Sequence, residues 1–404
     1  MRSWLRIGVA ILIIAAAATV VYRLIYANNP YRQGADLLTA LFRPKSMLKS
    51  SLRNEVAPAP EIGTPGPLAA GGSTQGRPLD VRARGDQNQP VALNGGQQWF
   101  NTPEGLPLRI SDLRGKVVIV DFWTYSCINC IRNIPYVSAW DRKYRDVGLV
   151  IIGVHTPEFA FEKKPENVAR KIKEYGIAYP VVMDNDYAIW NAYDNQFWPA
   201  KYFINHEGQI VWRKFGEGGY EEQEAKIQEL LAAAGLLTEK PPMEEPQESV
   251  DFGRIKTPEI YFGYRRISHF GGRVMPDQSV TFASEPAAVA ENMFYLTGTW
   301  RMGPEQAMLE SANGKIIIRY RANKANIVMA AEAEVTVEVR LDGKPLGSDN
   351  RGRDVFMTKG AGSYARIQEP KLYNFTDTGD DYGWHTLELI FTQPGVQAFA
   401  FTFG

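Results

Sequence analysis

The sequence predicts an α/β domain followed by an all-β sandwich of jelly-roll-like character, behind an N-terminal transmembrane helix. Three observations predict it. Residues 7–27 form an apolar run interrupted only by Arg23; residues 91–237 alternate short apolar stretches with stretches of helical periodicity; and the chain beyond 252 alternates apolar and polar residues between Gly- and Pro-containing turns. At 404 residues the chain is long enough for two domains of ordinary size and their connections.

The opening, MRSWLRIGVAILIIAAAATVVYRLIYANNP, has a short basic lead in Arg2 and Arg6 before its apolar run. A cleavable leader needs small residues before the cut, whereas the run exits through Ile25-Tyr26-Ala27. An uncleaved anchor over residues 1–27 is therefore expected, spanning if Arg23 snorkels. Within residues 28–90, Leu37, Leu38, Leu41, Phe42, Met47, Leu48 and Leu52 recur at helical spacing, which suits an amphipathic juxtamembrane segment. The rest, from 57 to 90, is rich in Pro and Gly and too poor in large apolar residues for a core, and reads as a flexible tether.

From 91 to 237 the elements follow one another as strand and helix. Residues 117–122 are almost continuously apolar, as in a buried central strand, and 149–154 repeat the pattern one helix later. KPENVARKIKEYG places Pro165 in the first turn of a helix and Gly176 just past its end. A strand at 179–183, a helix near 188–193, strands within KYFINHEGQIVWRKFG and a last helix over 220–234 complete an α/β domain. A Pro- and Glu-rich linker over 238–251 marks a boundary. Beyond it, AEVTVEVRLDGKPLG alternates and turns at Asp342-Gly343, and HTLELIFTQPGVQAFAFTFG supplies two more alternating runs around Pro394-Gly395. Residues 252–404 are thus expected to form the β-sandwich.

Lys plus Arg equal Asp plus Glu at 45 each, so there is no basic field for a phosphate backbone, and nucleic acid is not an expected partner. The only two cysteines, Cys127 and Cys130, lie in DFWTYSCINC. As a structural staple their four-residue ring would contribute only about 1.9 kcal/mol in the loop-entropy model, against about 3 kcal/mol for a fifteen-residue loop. Zinc would need four ligands, and His155, His206, His269 and His385 are scattered over two domains, so no metal site is expected. A redox dithiol fits better. The pair follows a strand and opens a helix, whose free N–H groups stabilise a thiolate and make Cys127 the attacking sulfur. Cys130, one turn on, would resolve the mixed disulfide. A persistent dithiol/disulfide pair makes sense outside the cytoplasm, so the bulk of the chain is expected on the periplasmic or extracytoplasmic side of the cell inner membrane.

These residues resemble the thioredoxin superfamily. Asp121, Phe122 and Trp123 end the strand before the cysteine pair, Pro135 matches the proline within the following helix, and FWPAKYFINHEGQI resembles the cis-proline segment, with Pro199 as that residue and Gly208 at the next turn. The inserted stretch at 156–185 and the membrane anchor are similar to the TlpA/ResA-type branch, and DFWTYSCINC and GVHTPEF to the thioredoxin part of DipZ-type proteins. So is the C-terminal region, in VRLDGKPLG, KLYNF and PGVQAFAFTFG.

The resemblance implies a thiol–disulfide oxidoreductase whose redox-active disulfide, Cys127–Cys130, needs no added cofactor. Asp121 would be a buried carboxylate exchanging a proton with Cys130. Pro199 would present backbone to a client, and Trp123, Trp198 and Tyr125 are expected as client contacts, with packing as the equal reading for Trp123. The clients would be protein thiols and disulfides. The multi-span electron-conducting part of DipZ-type proteins has no counterpart here, so a separate membrane donor of CcdA/DsbD type is expected. The implied direction is reduction or isomerisation of disulfides, with cytochrome c maturation as one setting.

Ser126 stands where a Trp commonly precedes the first cysteine, and Ile128-Asn129 replaces Gly-Pro, which leaves the reduction potential open. His155 and Glu158 follow a strand, and are read first as a hydrogen-bonded loop histidine and a solvated glutamate, with a place at the edge of the site as the other reading. A thiol peroxidase of related fold is the alternative activity; it would place Thr and Pro before the cysteine, and Thr124 fits but Val120 does not. The other alternative is a binding module with an idle dithiol. In the C-terminal region Tyr373, Phe375, Tyr382 and Trp384 are read first as core residues, with a glycan- or protein-binding surface as the other reading, and DTGDDYG at 377–383 lacks the spacing of a defined calcium loop.

Overall fold

The computed structural model describes residues 92–243, 250–360 and 362–404. The anchor expected at 1–27, the segment and tether at 28–90, and residues 244–249 of the linker lie outside the described residues. Among the described residues no helix is long and apolar enough to cross a membrane.

The first domain is built on a six-stranded mixed sheet. Its strands are β1 (Trp99–Phe100), β2 (Val117–Trp123), β3 (Leu149–His155), β4 (Val181–Met183), β5 (Ala200–Ile204) and β6 (Ile210–Phe215), in the order β1-β4-β3-β2-β5-β6. β2, β3 and β4 run parallel, and β5, β6 and β1 are added antiparallel to their neighbours. Four helices cover it: α1 (Ile128–Tyr144), α2 (Pro165–Glu174), α3 (Ala188–Ala192) and α4 (Tyr220–Ala233).

Every residue of β2 is buried, which explains its unbroken apolar sequence: a strand covered on both faces has no water-facing side to keep polar. Val117 and Ile119 pack with Ile134, Val137 and Trp140 of α1 and Ile227 and Leu231 of α4, while Val118, Val120 and Phe122 pack with Ile189 and Trp190 of α3. The sheet is thus the middle layer of three. α2 begins at Pro165 as its sequence predicts, and Gly176 just beyond takes φ +65°, a left-handed conformation that closes a helix without strain only when Cβ is absent.

The second domain departs from the expected sandwich. Its strands, from Ile260–Tyr261 to Val396–Phe403, make one continuous sheet of 13 strands, every pair antiparallel, instead of two separate sheets. The physical reason lies in Phe294–Met302. Its first half pairs with Gly314–Arg321 and its second with Ala307–Leu309, and between them Gly298 adopts φ +88°. One strand therefore turns the corner that two sheets would otherwise leave open. At the far ends of the sheet, a bridge between Arg351 and Thr376 brings the outer strands together, so the domain is nearly a barrel. Asp342 and Gly343 both take positive φ in the predicted hairpin turn. The strands around Pro394-Gly395 do not pair with each other: Trp384–Phe391 joins Gly314–Arg321 and Val335–Leu341, whereas Val396–Phe403 joins Ala307–Leu309 and Lys324–Ala331.

Burial alternates strictly along Trp384–Phe391 but is almost continuous along Val396–Phe403. The latter has a second dry face because it meets the first domain. Phe159, Val328, Leu372, Phe399 and Ala400 form a buried cluster, joined by Ile128 and Ile131 of α1 and by Phe161 and Tyr261. Phe399 packs against Phe159 and Phe161, with ring centroids 5.2 and 4.8 Å apart.

Candidate functional site

β2 ends at Trp123, and residues 124–127 carry the chain over the end of the sheet into α1. Cys127 is the residue that caps α1, and its sulfur accepts the Cys130 backbone N–H at 3.4 Å. Both cysteines are free; Cys127 is partly exposed and Cys130 wholly buried. Burial, reinforced by the neighbouring Cys127, pushes the Cys130 thiol well above its ordinary value. One sulfur is thus open to a partner, and the other is kept as a neutral thiol out of water.

Asp121 lies beneath the pair on β2, wholly buried, with neither carboxyl oxygen in a hydrogen bond. Burial raises its carboxyl to about 6, held back in part by the Lys201 charge and by the nearby Asn133 amide. Lys201 stands opposite Asp121 on β5, its ammonium 3.9 Å away, and donates a 2.6 Å hydrogen bond to Asn133 Oδ1 on α1. It too is wholly buried, and burial lowers its pKa. The sequence reading missed Lys201 and Asn133. The available signal was a lysine inside the otherwise apolar strand AKYFI, directly after Pro199, since a buried lysine requires a partner.

A second buried carboxylate, Glu162, was also missed. Its oxygens accept from Ser126 and from the backbone of Glu158 and Phe159, and burial raises it to about 7. Ser126, read only as a departure from the family pattern, is where this carboxylate reaches the dithiol loop.

The Trp198-Pro199 peptide bond is cis, and Pro199 begins the approach to β5. Trp198 is partly exposed; its indole donates to the Thr156 carbonyl and lies 4.2 Å from the Trp190 ring. The other two expected contact residues are not on the surface. Trp123 is 1% exposed and Tyr125 0%, because both rings are packed around His155, one edge-on at 5.0 Å and the other stacked at 5.6 Å. Phe197 and Phe215, exposed and 5.2 Å apart beside Trp198, occupy the surface instead. His155 is no loop residue: it ends β3 opposite Trp123, wholly buried, with burial lowering it to about 3 and its Nδ1 unpartnered. Glu158 is not solvated either. It accepts from Tyr261 at 2.9 Å and Arg266 at 2.7 Å, across the junction with the second domain.

In the second domain Tyr373 and Phe375 are buried, as the core reading expects, so the four aromatics do not make one exposed surface. Tyr382 and Trp384 lie under Arg254 and Arg319. The acids of 377–383 face protein partners: Asp377 meets Lys324, Asp380 meets Arg254 and Asp381 meets His385.

Residues 93–213 match the AhpC/TSA family, and residues 257–404 match the family described as thioredoxin like C-terminal domain. Over 318 residues the chain is 38% identical to protein DipZ of Mycobacterium bovis and of Mycobacterium tuberculosis, covering 77% of this chain and 42% of each relative. The chain therefore spans less than half the length of those relatives. It is 29% identical over 145 residues to the thiol-disulfide oxidoreductase YkuV of Bacillus subtilis, covering 36% of this chain and 95% of YkuV. With the thiol-disulfide oxidoreductase ResA of the same organism it shares 33% identity over 107 residues, covering 26% of this chain and 57% of ResA.

Proposed function

The domain over residues 93–213 belongs to the thioredoxin superfamily, in its TlpA/ResA-like branch, and from that premise we propose that the protein is a thiol–disulfide oxidoreductase acting on protein clients through Cys127 and Cys130. The observation that carries the reading is the asymmetry of the pair: a partly exposed sulfur capping a helix, a buried thiol beside it, and the Asp121 carboxyl beneath. In the reducing direction the Cys127 thiolate attacks one sulfur of a client disulfide, forming a mixed disulfide and releasing the other client sulfur as a thiolate. Cys130 then loses its proton to ionised Asp121 and attacks the Cys127 sulfur. The second client sulfur leaves, the Cys127–Cys130 disulfide forms, and two electrons have passed to the client.

The protein works, on this proposal, without an added cofactor, as an extracytoplasmic reductant or isomerase tethered by residues 1–27, with cytochrome c maturation among its settings. Its dithiol is restored by a separate membrane donor of CcdA/DsbD type. Cys130→Ala in cells is expected to leave Cys127 disulfide-linked to clients, and mass spectrometry of the adducts names them. Absence of any Cys127-dependent adduct, together with peroxide turnover by the purified protein, would favour the peroxidase alternative.

A further inference from the structure

We infer that Glu162 is a positioning residue for the dithiol: its buried carboxyl group holds the loop that carries Cys127, through Ser126, and its charge sets the reactivity of that sulfur. The inference rests on the oxidoreductase reading. One carboxyl oxygen accepts both the backbone N–H of Ser126 at 3.2 Å and its hydroxyl at 2.6 Å; the other accepts the N–H groups of Glu158 at 2.6 Å and Phe159 at 3.0 Å. Glu162 is 0% exposed. An amide offers a single acceptor oxygen, so only an ionised carboxylate can accept from the donors on both sides of this turn, and the tie therefore sets a buried negative charge against Ser126, the residue before Cys127.

Besides burial, the Glu158 carboxylate opposes that charge, while the Ser126 and Thr124 hydroxyls and the Phe159 N–H favour it; the Glu162 charge in turn raises the phenols of Tyr125, Tyr175 and Tyr187, and His155, which burial keeps neutral, lies beyond Thr124. Arg170 acts on Tyr125, and Arg266 is paired with Glu158; among the described residues Glu162 has no ion pair. Burial brings the carboxyl to about 7, so the group changes charge near neutral pH. When ionised it disfavours a second negative charge on Cys127, the residue next to Ser126; when protonated it does not. The same turn places Phe159 and Phe161 against Phe399, so the second domain braces this carboxylate in place.

The test compares the full-length protein with Glu162→Gln and Ser126→Ala. Two quantities are read: the iodoacetamide alkylation rate of Cys127 from pH 5 to 9, and the dithiol–disulfide equilibrium with glutathione. The wild-type rate profile is expected to contain a step near pH 7 besides the thiol's own. Glu162→Gln should abolish it, raise the rate at pH 7.5 about threefold and shift the glutathione equilibrium by about as much toward the dithiol. Ser126→Ala should keep the step but move it to higher pH, because the carboxylate loses its hydroxyl donor. A merely structural tie would not move it. Identical profiles and equilibria in Glu162→Gln and wild type, or an unmoved step in Ser126→Ala, would overturn the inference. If Glu162→Gln does not fold, the Ser126→Ala profile decides. Failure of the wild type to form a Cys127–Cys130 disulfide would instead refute the oxidoreductase reading, and the alkylation profiles would still decide the role of Glu162.

Discussion

In the proposed mechanism Asp121 takes up a proton in a place that water does not reach. Burial raises its carboxyl to about 6, and Lys201 keeps that rise from going further, so the group is ionised, and able to accept the Cys130 proton, at neutral pH. Resolution of the mixed disulfide should accordingly speed up as pH rises through about 6. Asp121→Asn should remove this inflection and slow resolution by on the order of 10- to 100-fold, measured by acid quench and alkylation of the mixed disulfide. The same carboxyl makes a prediction about stability. Below pH 4 it is protonated in both folded and unfolded chains; between 4 and 6 only the unfolded chain loses the proton, so folding becomes less favourable as pH rises. The stability of Asp121→Asn relative to wild type should therefore improve by about 3 kcal/mol between pH 4 and 6, read from urea unfolding, and then level off. A difference that does not change with pH would mean that Asp121 titrates normally in the folded protein.

At the scale of elements, β2 and α1 follow directly from their sequences, but Phe294–Met302 does not. Its apolar residues mark a strand, yet nothing in the alternation says that one strand serves two stretches of sheet. Gly298 does the turning, and a Cβ added there would lie 2.9 Å from the Gly314 Cα. Gly298→Ala combines an unfavourable φ with that approach and is expected to cost about 2–3 kcal/mol, seen as a lowered thermal midpoint. Unchanged stability would show that the strand can straighten. The loop after β3 is the other element that the sequence misrepresents. Its Glu158 reads as solvated, yet GVHTPEFAFEK carries buried His155, Phe159 and Glu162, with His155 packed under Trp123 and Tyr125 and Phe159 against Phe399 of the second domain.

Across the whole molecule, the two domains share a dry junction a few residues from the dithiol: Ile128 and Ile131 flank Cys130 in sequence and pack toward Val328, Leu372 and Phe399. The second domain is thus part of the site's framework. Phe399→Ala should leave a cavity at this junction, lowering stability by about 3–4 kcal/mol and splitting one calorimetric transition into two. A single transition at the wild-type temperature would show that the domains fold and hold independently.

The order of strands and helices in the first domain, the central burial of β2 and the place of the cysteine pair at a strand-to-helix turn were all legible in the sequence. Each is encoded over short distances: helical and strand periodicities span a few residues, and a Cys-x-x-Cys pair at a strand-to-helix turn has its meaning locally. Sequence alone also marked Asp121 as a carboxylate to examine, through resemblance. The tertiary structure decided what surrounds it. Lys201 reaches Asn133 from 68 residues away, and Glu162 reaches Ser126 across 36. Trp123 and Tyr125, which their position beside the cysteines suggests are client contacts, are turned inward by packing on His155. Such pairings depend on strand register and on which surfaces a second domain covers, and neither leaves a periodic trace along the chain, because burial of a polar side chain is set by neighbours distant in sequence.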